Sequence, residues 1–232
     1  MHEVSPALHT AEVVHWIALV VMAVVYTLRI RWLLSFNLGK DKSAPGNPSQ
    51  SNKQRGARYS FFNVAMPWSM ESTRKPKGFV FYLSFVLFHL GVVAGITLAF
   101  VSTIAPDFLR VPAVGWTVMF FIVAAFLVSL YRIARRTLRP LMRLISTPDD
   151  YFSLLMLTVW FAIGAATQAY LMGIWGVTND IVQIAYLYLT SFFLLYVPFS
   201  KISHYLYYPF TRTYIGRALG QRGSYPVVRA RS

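Results

Sequence analysis

The sequence contains no cysteine. That excludes disulfides, thiolate metal sites, cysteine-ligated iron–sulfur clusters and covalent c-type haem attachment within the chain. Acidic residues are also scarce, with eight Asp and Glu against 22 Lys and Arg in 232 residues. Charged residues of both signs together make up only 13%. A soluble domain of this size needs more charge than that to cover its surface. With 56% hydrophobic residues and a mean hydropathy of +0.50, the composition is that of a polytopic membrane protein. A signal peptide is not expected either. Residues 1–13 carry His2, Glu3, His9 and Glu12 and no basic segment, so the first apolar stretch should be retained as a span.

What is present is a set of five apolar stretches, at about 13–34, 79–104, 113–134, 151–175 and 181–206. Each is long enough to cross a hydrocarbon core of ~30 Å at ~1.5 Å per residue. The expected fold is an all-α bundle of five transmembrane helices forming a single domain over residues 1–232. Ten of the basic residues lie between Arg29 and Lys77, five between Arg132 and Arg143, and six between Lys201 and Arg231, leaving only Arg110 on the other side. Acidic residues divide four and four. The positive-inside rule then places the N-terminus outside, and loop 35–78 and tail 207–232 in the cytoplasm, with the protein in the inner membrane of a cell. The basic excess is thus a topology signal before it is a nucleic-acid signal.

The middle of the first loop, 39–57, is rich in Ser, Asn, Lys and Gly and reads as a flexible linker. The aromatic stretch after it, 59–68, suits either a membrane interface or a partner subunit. The segment Ser-Thr-Pro-Asp-Asp over 146–150 reads as a helix start, with proline in the first turn and acids at the positive end. Trp16, Trp116 and Trp175 fall near the outer interface, and Trp32, Trp68, Tyr207 and Tyr208 near the inner one, as aromatic belts.

The five histidines carry the chemistry. His2 and His9 precede the first span and read as solvated. His15 lies one turn inside the first span. His89, in Phe-His-Leu-Gly over 88–91, and His204 lie at comparable depth on antiparallel spans two and five. An imidazole at membrane depth is costly and usually has a partner. One reading makes His89 and His204 the two axial ligands of a haem, with Gly91, Ala94 and Gly95 letting the flat ring approach and Lys201, Lys77 and the 132–143 basic run holding its propionates. The other reading gives each histidine only a neighbouring carbonyl or hydroxyl.

The whole five-span pattern resembles the gamma (cytochrome b) subunit of respiratory nitrate reductase. It is also similar to the cytochrome b subunits of heterodisulfide reductase and of sulfate-reducer transmembrane redox complexes. The matching pieces are Phe-His-Leu-Gly over 88–91, the connection from Arg135 and Arg136 to Ser146, and Pro-Phe-Ser-Lys-Ile-Ser-His over 198–204. A basic tail ending Val-Arg-Ala-Arg at 228–231 completes the pattern. The resemblance implies that His89 and His204 ligate a b haem near the cytoplasmic face, with Lys201, Arg135 and Arg136 around it. It also implies that menaquinol or ubiquinol is oxidised, or the quinone reduced, nearer the outer face. The implied function is a membrane-anchoring subunit passing electrons between the quinone pool and a cytoplasmic iron–sulfur partner. The sequence departs from that family at the second histidine pair, where it has Ala99 and Tyr186. One haem is therefore expected, and His15 is the only intramembrane histidine left for a second. Without a second haem, His15 with Glu12 reads as a proton acceptor for quinol, with hydrogen bonds from Tyr186, Tyr188, Gln168 and Gln183. The competing class is a haem-free transporter or structural anchor, against which stand the absence of acidic residues within the spans and of inverted repeats.

Overall fold

The computed structural model describes residues 5–36, 39, 43–69, 72–174 and 180–227. His2, Trp175 and the 228–231 tail lie outside the described residues. The helices are α1 (Pro6–Ser35), α2 (Lys53–Phe62), α3 (Pro76–Ile104), α4 (Pro106–Arg110), α5 (Pro112–Leu138), α6 (Pro140–Ile145), α7 (Pro148–Leu171), α8 (Ile181–Tyr196) and α9 (His204–Gln221). There is no strand among the described residues. Six of these helices begin on a proline, where the fixed φ suits the first turn and the missing N–H is not needed. The expected start at 146–150 forms, with the Thr147 N–H donating to the Asp150 carboxylate at 2.8 Å and Pro148 at the first helical position.

Five stretches are long and apolar enough to cross a membrane: Pro6–Ser35, Pro76–Ile104, Pro112–Leu138, Pro148–Leu171 and Ile181–Phe199. The chain is a multi-pass, all-α membrane protein. Trp16, Trp32, Trp68 and Trp116 are all exposed. The fifth span stops at Phe199, short of the expected 206. Pro198 removes a backbone donor, and the chain tightens into a 3-10 turn over Val197–Phe199. The Ser200 hydroxyl then caps a second turn by accepting from the Ile202 N–H at 3.2 Å, and α9 starts at His204.

The expected single domain is organised as two compact units. The first takes the chain up to Tyr26 together with Leu83–Pro198, and the second takes Thr27–Tyr82 with the chain from Phe199 onward. In the first unit, α7 packs against α5 and α8. Between them lies a polar-tipped aromatic knot in which Trp160 stacks on Tyr186 at 5.7 Å and donates to Thr190 Oγ1 at 2.9 Å. Tyr186 in turn donates to Gly95 O at 2.7 Å. Each buried polar atom of this knot thereby finds the partner that a dry interior demands. One stripe of α1 is buried here, Leu8, Ala11, His15 and Ala18. Leu8 and Ala11 pack with Leu187 of α8, and Ser5 donates to the Asp180 carboxylate.

In the second unit, α2 lies antiparallel against α9. Asn52 N donates to Gly220 O at 2.9 Å, and Tyr208 donates to Phe61 O at 2.7 Å at the other end. This overturns the reading of 39–57 as a flexible linker, since its last residues are helix and Gly46 N also bonds Arg222 O at 3.1 Å. Glycine allows the contact. A Cβ on Gly56 would sit 2.5 Å from Gly220 Cα, and one on Gly216 would sit 2.7 Å from Gly56 O. Gly56→Ala therefore forces the backbones apart at an expected cost of about 1–3 kcal/mol. Amide hydrogen exchange should show this as faster exchange along α9, with the five spans unchanged.

Candidate functional site

On α3 the buried residues are Phe88, Gly91, Ala94, Gly95, Leu98, Ala99 and Ser102, a face at helical spacing turned into the first unit. His89 flanks this face and is half-buried. Its Nδ1 lies 2.7 Å from Phe85 O. A carbonyl can only accept, so Nδ1 carries the proton, and in the neutral ring Nε2 is the basic nitrogen. The Phe85 ring sits 4.2 Å from the imidazole and holds its plane.

A cation packs on the residue that precedes this histidine. The Arg132 guanidinium lies over the Phe88 ring, 4.2 Å from its centre. Arg132, Arg135 and Arg136 share one face of α5 at i, i+3 and i+4, each half-buried. Arg136 is tied to the α7 start, donating to Ser146 Oγ at 2.7 Å and lying 3.9 Å from the Asp150 carboxylate. Arg132 makes contact with the segment holding His89 through the Phe88 ring. Sequence spacing gives no means of pairing positions 88 and 132 across two helices.

The small residues around His89 do something other than what was expected of them. A Cβ on Gly91 would strike the Ala125 Cβ and lie 2.7 Å from Phe121 O, both on α5. A Cβ on Gly95 would lie 2.5 Å from the Trp160 ring. These glycines serve helix packing, and their face is closed to a flat ligand. Ala99 and Tyr186 are each fully buried, and Tyr186 is committed to Gly95 O.

His204 belongs to the second unit, exposed at the first residue of α9. Its placement in the interior of the fifth span does not hold, because Pro198 has already ended that helix. Its Nδ1 lies 3.1 Å from Lys201 O, so His204 carries its ring proton on the same atom as His89. Lys201 is exposed, and its backbone carbonyl orients the imidazole. Nearby, Arg29 donates to Tyr207 Oη at 3.0 Å and lies over the Phe199 ring at 5.2 Å.

His15 is the anomaly of the first unit. It is fully buried, yet neither Nδ1 nor Nε2 has a hydrogen-bond partner. Its neighbours are the rings of Phe100, at 5.0 Å, and Trp16, at 5.9 Å. Leaving such a group unsatisfied costs about 1–3 kcal/mol. Glu12, one turn earlier, is half-buried, and His9 is exposed. Of the expected quinone hydrogen-bonders, Tyr188 is 44% exposed. Gln168 spends its amide nitrogen on Leu109 O at 3.1 Å and Gly115 O at 3.4 Å, holding the α4–α5 turn. Its Oε1 is buried without a partner. Gln183 is buried.

No cluster of three or more His, Cys, Asp or Glu is placed to hold a metal ion among the described residues. The chain matches no protein-family model, no curated protein and no solved structure.

Proposed function

We propose that the protein is a membrane-anchoring b-type cytochrome subunit, passing electrons between a quinone pool and an iron–sulfur partner. The observation that carries this reading is the shared tautomer of His89 and His204. Each donates from Nδ1 to a backbone carbonyl, at 2.7 Å and 3.1 Å, which puts the ring lone pair on Nε2, the nitrogen that would face a metal. Two imidazoles of this tautomer would serve as the protein ligands of a haem. Arg132, over the Phe88 ring, would add positive potential on that stretch of α3. The face shared by Phe88, Gly91 and Gly95 is closed by packing and would not take the macrocycle. A bis-histidine haem supplies one-electron transfer with no open position for oxygen chemistry.

The chain's own residues would orient the group through Phe85 O and Lys201 O and neutralise it through Arg132, with Lys201, Arg135 and Arg136 adding positive potential. Quinol oxidation releases two protons with two electrons, and His15, buried with neither nitrogen satisfied, is the proposed acceptor of one of them, with Glu12 following it toward the outer surface. With no cysteine for cluster ligands, onward transfer falls to a partner on the basic, cytoplasmic side of an inner membrane. The closed packing at Ala99 and Tyr186 supports a single haem. A pyridine haemochrome assay on purified protein tests this, with one b haem per polypeptide expected. None, in gently solubilised material, would remove the cytochrome reading, and two would remove the single-haem assignment.

A further inference from the structure

The net charge of the chain is confined to one of its units. Sixteen of the 22 basic residues but only two of the eight acidic ones belong to the second unit, and the first holds six of each. The first unit is therefore neutral, and the whole excess of +14 falls on the second. The positive-inside rule requires basic residues near span ends, but it does not require them on a rigid folded element, as is found here.

The α2–α9 pair turns Gly56, Ser60, Gly216 and Gly220 inward. Its outer positions on α2 are Arg55, Arg58 and Phe62, at i, i+3 and i+7, all exposed. On α9 they are Phe210, Tyr214 and Arg217, at i, i+4 and i+7, also all exposed. Each helix thus carries guanidinium and aromatic side chains together on its own outer stripe. Arg55, Arg58 and Arg217 join no ion pair among the described residues. An acidic protein partner would call for cations alone. Interleaved Arg and aromatic side chains are the pattern of a bilayer interface, where rings sit at headgroup level and guanidinium groups reach phosphate. The pair is also bound by sequence to the membrane, since α9 begins five residues after the last span ends at Phe199.

We infer that the α2–α9 pair binds the anionic phospholipid headgroups of the bilayer in which the protein is embedded, through Arg55, Arg58 and Arg217 with Phe62, Phe210 and Tyr214 inserted beside them. This is independent of the haem reading. The test is amide hydrogen exchange of the full chain in nanodiscs of phosphatidylcholine alone or with one third phosphatidylglycerol. Phosphatidylglycerol is expected to slow exchange along α2 and α9 by about fivefold or more. High salt should abolish that difference, because at 1 M the Debye length is only ~3 Å. The variant Arg55→Gln/Arg58→Gln/Arg217→Gln should match the parent protein in phosphatidylcholine and lose the response to phosphatidylglycerol. Equal exchange of the parent protein in both lipids overturns the proposal, whatever the variant's stability. So does slowing by soluble poly-L-glutamate in its place, which would assign the surface to an acidic protein. Haem content, measured on the same samples, reports on the cytochrome reading separately.

Discussion

His89→Ala and His204→Ala are each expected to yield folded protein that has lost its haem, falling from one per chain to under about a tenth. The two substitutions are unusually clean tests. His89 is half-buried and bonds a carbonyl one turn back on its own helix, while His204 is exposed. Neither side chain is fully buried, so removing either opens no large cavity, and the loss of the Soret band would not be a by-product of unfolding. Helical content by circular dichroism should be unchanged. A carbonyl that merely satisfies a structural histidine predicts the opposite, with haem retained or never present. Unchanged haem in both variants would end the ligand assignment.

His15→Leu should move stability and turnover in opposite directions. The imidazole is enclosed with both nitrogens unsatisfied, so an apolar side chain of similar size removes a desolvation cost of about 1–3 kcal/mol. Denaturation in detergent should accordingly show a more stable protein. If His15 takes the quinol proton, the same change removes a general base, and turnover with a soluble quinol analogue should fall about 10²-fold or more. A residue retained for packing alone would not combine a gain in stability with a loss of rate. Undiminished turnover would leave His15 without a catalytic role.

The five spans were legible because hydropathy over some twenty residues is a local property, and the proline-led start at 146–150 was legible for the same reason. The rest turned on pairings between distant positions. Gly56 looks like linker composition until Gly216 and Gly220 are brought against it. Gly91 looks like room for a cofactor until Ala125 fills that room. Phe88 and Arg132 meet on different helices. The end of the fifth span was missed although its signal is local: Pro198 sits in an apolar run whose hydropathy continues past the point where the backbone can no longer be helical. Tyr186 and Gly95 likewise lie on different helices, and the bond between them is not accessible from sequence.

The crossing of α2 on α9 joins residues that are far apart in the order of synthesis, with Ser51 donating to Gln221 O across 170 positions. Nothing can cover the Gly56 and Ser60 face of α2 until all five spans have left the ribosome and entered the bilayer. An unfinished chain thus leaves the Gly56 and Ser60 face of α2 open, while a finished one covers it. Because the closing partner comes last and must find α2 over a long loop, burial of that face should be among the final events of biogenesis. Protection of α2 would then serve as a timestamp for completed insertion in a pulse-labelled cell.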